Sequence, residues 1–382
     1  MKVAILGIGT VGSGAYDIIR DSGCGLTVAR VLDRYVPAGL EGVVTTNYDE
    51  ILGDPEIKIV AEAIGGLHPA YEFVTAALRA GKHVVSANKH LICHYYKELH
   101  ELAKENGVAL RFTPSAGGGI PWLFNLRRAR RCDEIEALRG IMNGTTNYIL
   151  DSMQNLGSDF AEVLAVAQSL GYAEADPSAD IDGWDVRRKC AISASIAYDT
   201  VLTEDDVPTF GIRTVTAADI AYFKSMGLSC RLLAFAKREG NEVTAYVEPT
   251  LLPAGATEAS VGSNFNCISL WGKYVGRLSF IGQGAGKYPT GHALVEDMLD
   301  IRDEVEMKKM TAGEAVTVTA DRFPHRYYIR TTAKIEDGLV ERRDGDVVIT
   351  RPLTPAAMHK VAAAAAEIDP LLFIAGLEDI VE

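Results

Sequence analysis

The order of apolar runs predicts an α/β chain in two parts: a doubly wound parallel sheet, then an α+β part with a mixed sheet. Three observations carry this. Short apolar strands alternate with amphipathic helical stretches through residues 2–112, the pattern of a parallel sheet covered on both faces. The first strand runs straight into Gly7-Ile-Gly9-Thr10-Val11-Gly12 and then a helix. From about residue 230 to 281, strand-like runs follow one another without helices between them. The first part is therefore expected to be of the Rossmann type.

Taken in order, Lys2 to Leu6 is a buried strand, and the helix after Gly12 turns Val11, Ala15, Ile18 and Ile19 inward. A second strand, Leu26 to Leu32, ends at Asp33. In this setting the three glycines have distinct tasks: Gly7 makes the turn, Gly9 lets a pyrophosphate approach the backbone, and Gly12 lets helix and strand pack closely. Thr10 and Val11 open the helix whose N-terminus faces the phosphates. Asp33 stands where an acid binds the ribose 2′-hydroxyl of NAD, and Arg34 beside it suits the 2′-phosphate of NADP. Strands at Ile57 to Ala61, Lys82 to Val85 and Val108 to Phe112 alternate with helices over Pro69 to Ala80 and about 90–105. Ligands bind at the carboxyl ends of such strands. Ile64-Gly65-Gly66, Ser86-Ala87-Asn88-Lys89 and Ser115 to Pro121 fall there, with Lys89 a candidate for substrate or proton chemistry.

The second part begins with a strand from Ile135 to Met142 that runs into Asn143-Gly144-Thr145-Thr146, where Thr145 or Thr146 caps the next helix or donates to a ligand. Helices over about 146–156 and 159–170 follow, the second closed by Gly171. Then comes an acidic stretch, Gly171 to Lys189, holding Glu174, Asp176, Asp180, Asp182 and Asp185. Asp182 is the expected N-cap of a helix that puts Asp185 and Lys189 one turn apart on one face. A helix from Thr216 to Met226 and strands at Cys230 to Ala236, Val243 to Glu248, Cys267 to Trp271 and Val275 to Ile281 come next. Gly284-Ala-Gly286 then opens a helix reaching about Ile301, which suggests a return to the nucleotide part. The tail offers strands at Tyr327 to Thr332, Leu339 to Arg342, Val347 to Thr350 and Leu371 to Ile374, and a helix from Ala356 to Ala365.

Composition narrows the function classes. The formal net charge of −13 argues against a polyanionic partner such as a nucleic acid. No apolar run approaches the length of a membrane span, and the N-terminal apolar stretch is too short for a signal peptide. Six cysteines without a Cys-x-x-Cys pair read as reduced thiols in a cytoplasmic protein. His90 and His94 have the spacing of two metal ligands, but Leu91 stands where a zincin needs glutamate, so they read as helix-surface histidines.

Several segments together resemble the homoserine dehydrogenase family. They are Gly7-x-Gly-x-x-Gly12, Glu62-Ala-Ile-Gly-Gly66, Gly81-Lys-His-Val-Val-Ser-Ala-Asn-Lys89, Asn143-Gly-Thr-Thr-Asn-Tyr-Ile, Gly171 to Lys189, and Gly284-Ala-Gly-x-x-Pro-Thr290. The Gly-Tyr-x-Glu-x-Asp-Pro-x-x-Asp run ending at the lysine is the most specific of them. The resemblance implies reversible interconversion of L-homoserine and L-aspartate 4-semialdehyde with NAD or NADP, in threonine, methionine and isoleucine biosynthesis. It implies a nucleotide domain over 1–132, completed by about 283–310, and a catalytic and dimerisation domain over 133–282, so a homodimer or higher homo-oligomer is expected. It makes Lys189 the proton donor and acceptor, with Lys89 assisting. Gly171, Glu174 and Asp185 would contact homoserine, and Tyr172, Asp180 and Thr145 would join them. Gly65, Ser86, Asn88, Lys89, Gly284 and Gly286 would line the cofactor with Gly7 to Gly12. A lysine backed by an apolar helix and near a second lysine suits acid–base work.

Two departures stand out. The family's glycine-rich loop before Ile-Pro usually begins with a glutamate that helps bind Na⁺ or K⁺. Thr113 occupies that place here, leaving the carbonyls of Ala116, Gly118 and Ile120 as the expected cation ligands. Many bacterial members carry a C-terminal ACT domain for threonine feedback. Arg326-Tyr-Tyr-Ile-Arg330 resembles its first strand, but residues 311–382 read as a small α+β extension and not a full ACT domain. Two other readings stay open: another amino-acid-pathway oxidoreductase on the same scaffold, and a dinucleotide-binding sensor without catalysis.

Overall fold

The computed structural model describes residues 1–305 and 316–377, so the expected boundary near 310 and 311 lies outside the described residues. The first unit is built from Met1–Arg131 and the returning stretch that begins at Gln283. Its N-terminal stretch runs β1 (Lys2–Leu6), α1 (Thr10–Ser22), β2 (Thr27–Leu32), β3 (Val44–Thr45), α2 (Asp49–Leu52), β4 (Ile57–Glu62), α3 (Ala70–Arg79), β5 (His83–Ser86), α4 (Lys89–His94), α5 (Tyr96–Glu105), β6 (Leu110–Arg111) and α6 (Trp122–Ala129).

These strands form one parallel sheet in the order β3-β2-β1-β4-β5-β6. Strand order reverses between β1 and β4, which places the crevice for a ligand at their carboxyl ends. Central strands of a parallel sheet are covered on both faces, which is why β1 reads as an unbroken apolar run with Val3 to Leu6 fully buried. The helix expected over 90–105 is two helices, because Tyr95 leaves helical geometry at φ −110°. The strand expected over Val108 to Phe112 contracts to β6, since Val108 bonds back to Ala103 as the preceding helix ends.

The second unit holds Cys132–Gly282 and the described residues after 315. It continues with β7 (Ile135–Ile141), α7 (Gly144–Leu156), α8 (Phe160–Ser169), α9 (Ser178–Ile181), α10 (Trp184–Tyr198), α11 (Ala217–Ser225), β8 (Leu228–Glu239), β9 (Glu242–Pro253), β10 (Phe265–Gly272) and β11 (Gly276–Gln283). Then α12 (Lys287–Arg302) rejoins the first unit, where Leu294, Val295 and Met298 pack with Val3, Ile5, Ala15 and Ile59. Each apolar side chain of that size contributes about 1.5–3 kcal/mol on leaving water.

The chain closes with β12 (Thr317–Val318), β13 (Arg326–Arg330), β14 (Val340–Asp344), β15 (Val347–Thr350), α13 (Pro355–Ala366) and β16 (Phe373–Leu377). Among the described residues the second sheet runs β11-β10-β7-β8-β9-β16-β13-β15-β14, with β12 beside β9. It is mixed: β7, β8 and β9 pair antiparallel, while β16 lies parallel to β9. β8 and β9 are each twelve residues long, well beyond their expected apolar cores, because a hairpin pairs Glu239 with Glu242 and carries the polar ends into the ladder. Under α13, Tyr327, Ile329, Val348, Met358 and Ile374 share one core cluster.

Candidate functional site

In the first unit, β1 ends at Leu6 and Gly7 turns the chain with φ +92°. A Cβ at Gly12 would lie 1.9 Å from the Gly7 carbonyl oxygen, so only glycine lets α1 start against this turn. A Cβ at Gly9, the N-cap of α1, would meet nothing within 4 Å. The space above the helix start is therefore open, and Thr10 and Val11 are the first residues of that helix, whose leading amides lack intrahelical acceptors. Asp33 follows β2. Its Oδ2 accepts from Ile8 N at 2.8 Å and its Oδ1 from Tyr35 N at 3.0 Å. The carboxylate that would bind a ribose thus also pins the glycine turn, while Arg34 is exposed. Open space over a helix N-terminus, a glycine turn and a strand-end acid fit a dinucleotide.

Two more strand ends adjoin. Gly65 follows β4 at φ +82°, and Ser86 is the last residue of β5. Asn88 caps α4, its Oδ1 accepting from Leu91 N at 3.1 Å, and the half-buried Lys89 is the first residue of that helix. Asn88 Nδ2 donates to the Gly66 carbonyl at 2.6 Å. Gly284 and Gly286 lead into α12, with Gly286 as its N-cap. Ala116, Gly118 and Ile120 lie in a buried loop, and the Ile120 carbonyl accepts from Trp122 N at 2.7 Å. Thr113 N donates to Asp297 Oδ2 at 2.8 Å. Burial pushes the Asp297 carboxyl up to about 6, against the opposing pull of Thr113 and the Arg111 and Arg127 guanidiniums.

In the second unit the acidic stretch separates into two groups. Lys189, 7 % exposed, donates from Nζ to Asp185 Oδ2 at 2.7 Å and to the Met142 carbonyl at 2.8 Å. Asp185 is 4 % exposed, and the same Oδ2 accepts from Asn143 Nδ2 at 2.8 Å. Asn143 Nδ2 also donates to Asp180 Oδ1 at 2.7 Å. One amide thus joins two carboxylates and, through Asp185, the lysine. Asn143 is in addition the N-cap of α7, its Oδ1 accepting from Thr146 N at 2.8 Å. The cap expected at Thr145 or Thr146 lies two or three residues earlier. Thr145 instead donates to the Tyr172 carbonyl at 2.5 Å, tying α7 to the start of the acidic loop.

Gly171, at φ +75°, closes α8 as Tyr172 N bonds Ala167 O at 2.8 Å and Gly171 N bonds Gln168 O at 3.0 Å. Gly171, Tyr172 and Glu174 are exposed, and the Tyr172 ring packs edge-on to Tyr148. Asp176 and Asp182 shape the loop. Asp176 Oδ1 accepts from Ser178 N, and bonds from Ser178 hold its carboxyl below the usual range. Arg213 takes Asp182 through both oxygens at 2.7 Å. Asp182 therefore does not cap α10. Gly183 does, at φ +83°, where a Cβ would meet Thr209 Cγ2 at 2.8 Å.

Asn143 is the functional candidate that sequence reasoning missed. The available signal was an asparagine directly ahead of a helix-forming run. Among the described residues no group of His, Cys, Asp or Glu could hold a metal ion, and no helix is long and apolar enough to cross a membrane.

Hydride transfer between an alcohol and a dinucleotide needs a backbone cradle for the cofactor and a side-chain base for the hydroxyl proton. The open glycine turn and the buried Lys189–Asp185 pair fit a nicotinamide-dependent oxidoreductase. Comparison with known proteins narrows the class. The model of the homoserine dehydrogenase NAD-binding domain matches residues 7–113, and that of the homoserine dehydrogenase family matches residues 121–299. A homoserine dehydrogenase of Bacillus subtilis is 39% identical over 326 residues, covering 82% of this chain and 74% of its own. One from Synechocystis is 40% identical over 316 residues, covering 79% and 73%. The crystal structure of a homoserine dehydrogenase from Thiobacillus denitrificans superposes with a TM-score of 0.87 at 31% identity, covering 99% of this chain and 98% of that one. A hyperthermophilic archaeal homoserine dehydrogenase in complex with NADPH matches with a TM-score of 0.67 at 26% identity, over 80% and 99%. The chain belongs to the homoserine dehydrogenase family, and its reaction is the reversible, NAD(P)-dependent interconversion of L-homoserine and L-aspartate 4-semialdehyde.

Proposed function

We propose that Lys189 is the proton donor and acceptor of this reaction. The observation that carries the reading is the buried cluster of Lys189, Asp185 and Asn143. A bound nicotinamide dinucleotide supplies the acceptor or donor for the hydride at C4 of the substrate. In the oxidative direction Lys189 Nζ takes the hydroxyl proton as the carbonyl forms. The resulting ammonium keeps Asp185 and the Met142 carbonyl as acceptors. In the reductive direction the same proton returns to the alkoxide. Asp185 orients the amine, Glu174 and Asp180 offer carboxylates to the substrate ammonium, and Gly171, Tyr172 and Thr145 shape the loop around it. Lys89 assists, as a cation for the substrate carboxylate. Lys189→Ala should lower kcat by roughly 10²–10⁴ while NADPH affinity, read by fluorescence titration, stays near the wild-type value. A wild-type kcat in this variant would refute the assignment.

Cofactor residues follow the same reading: Gly7, Gly9, Thr10, Val11 and Gly12 for the pyrophosphate, Asp33 or Arg34 for the ribose end, and Gly65, Ser86, Asn88, Lys89, Gly284 and Gly286 around the rest. Asp33, fixed by two backbone amides, favours NAD over NADP. Na⁺ or K⁺ would take the carbonyls of Ala116, Gly118 and Ile120. With Thr113 in place of an acid and the Ile120 oxygen engaged by Trp122, that site would be weak. We also read residues 1–132 with 283–310 as the nucleotide domain, 133–282 as catalytic and dimerising, and 311–382 as a C-terminal extension that is not a full ACT domain. The edge strand β11 exposes Leu278 and Ile281, an apolar edge that supports a homodimer or larger homo-oligomer, measurable by light scattering. Six free thiols support a cytoplasmic location.

A further inference from the structure

Glu62 ends β4, the strand between β1 and β5, and is completely buried. A carboxylate in that place is costly for an ion without partners. Its Oε1 accepts from Ile64 N at 2.9 Å, from Gly65 N at 3.1 Å and from Asn88 Nδ2 at 3.4 Å. Its Oε2 accepts from Ser86 Oγ at 2.6 Å. Ser86 Oγ in turn accepts from Asn88 N at 3.0 Å. Through these bonds one carboxylate ties two strand-end segments together, and Lys89 begins at the end of the second. Each of these partners is an N–H or O–H donor, and none is a cation. Burial raises the Glu62 carboxyl, and the four donors work against that rise. A purely structural strand end would be served by an apolar residue or a small hydroxyl, without the cost of a buried acid. The donors it selects are the turn after β4 and the turn after β5, both at the carboxyl edge where a parallel sheet binds its ligand.

We propose that Glu62 is a positioning residue of the cofactor site: its buried carboxylate fixes the Ile64–Gly66 turn against Ser86 and Asn88. The proposal rests on the reading that Gly65, Ser86, Asn88 and Lys89 face the nicotinamide cofactor. Glu62→Gln keeps the volume but turns one acceptor oxygen into a donor, so the Ser86 hydroxyl loses the charged acceptor it now has at 2.6 Å. The expected result is a Kd for NADH and NADPH at least tenfold higher by fluorescence titration. The cofactor KM should rise in parallel, while the homoserine KM at saturating cofactor stays within about twofold. A general loss of structure would not split the two KM values in this way.

Ser86→Ala, combined with Glu62→Gln, should add little to the single variant, because both remove the same bond. Gly9→Val is the control for the underlying reading, since it fills the open space over α1 and should abolish cofactor binding. If Gly9→Val binds NADPH as the wild type does, the cofactor reading itself fails. If Gly9→Val loses binding while Glu62→Gln keeps the wild-type Kd and KM, the role of Glu62 alone is overturned. Should Glu62→Gln not fold, Glu62→Asp, which draws the carboxylate back from the turn, is read in its place. A Kd raised several-fold supports the proposal, and a wild-type Kd overturns it.

Discussion

Replacing Asn143 by serine separates its two tasks. Serine is as good an N-cap as asparagine, so α7 keeps an acceptor for Thr146 N. The side chain no longer has an amide to give Asp185 and Asp180, which now receive it at 2.8 and 2.7 Å. A hydrogen bond to a charged group contributes about 1.5–3 kcal/mol net. The bond to Asp185 is the one next to Lys189. If its loss is felt fully in the transition state, kcat/KM for homoserine falls roughly 10- to 150-fold. The cofactor Kd should not move, because the cradle for the dinucleotide is built from other residues. Asn143→Ala should lose as much activity and a further ~1 kcal/mol of stability from the missing cap, read as a shift in urea midpoint. The measurement is steady-state kinetics in both directions, with denaturation curves on the same preparations. Wild-type kcat/KM in Asn143→Ser would show that the amide does not organise the lysine–aspartate pair.

Other outcomes follow from the same geometry. The Asp297 carboxyl is raised to about 6 in the folded protein, so the folded state binds its proton more tightly than the unfolded chain does. Stability from this group therefore grows as pH falls from 7 toward 4, by something on the order of 3 kcal/mol. Asp297→Asn should remove that gain, and identical pH dependence of stability in variant and wild type would refute it. Asp33→Asn should lower kcat/KM with NAD more than with NADP; an unchanged ratio would show that Asp33 does not face the ribose.

The nucleotide half was legible because its signals are local. A glycine turn, a strand before it, a helix after it and an acid at the next strand end all lie within about thirty residues, and each has its own steric reason. The acidic stretch was legible only in part. Asp185 and Lys189 sit one turn apart on a single helix, which spacing alone can show. The fate of Asp182 depends on Arg213, thirty-one residues away, and no local pattern announces that partner. Asn143 was passed over for Thr145 or Thr146 as the cap, and its reach to Asp180 and Asp185 exists only once α9 and α10 have packed. The long hairpin of β8 and β9 was shortened in the reading because Lys237, Arg238 and Glu239 are polar, whereas pairing across the ladder keeps them in the sheet. Glu62 passed as one letter of a motif, although a charged residue at the end of an apolar strand was itself the clue.

The strand β9 has β8 on one side and, through Gly376 opposite Thr250 and Leu377 opposite Leu251, β16 on the other. Beneath this seam lies Glu248, whose Oε1 meets His325 Nε2 at 2.7 Å and whose Oε2 accepts from Tyr327 at 3.2 Å. A Cβ at Gly376 would come within 2.5 Å of that carboxylate. The last strands are thus a lid on an otherwise raw sheet margin. A version of the chain shortened to end before residue 316 would bare the two stretches of the β9 edge that β12 and β16 cover, and a solitary acid. It would be prone to stick to its own copies through that margin, whatever the state of Lys189. Mutagenesis that trims the tail to probe regulation would then measure solubility first.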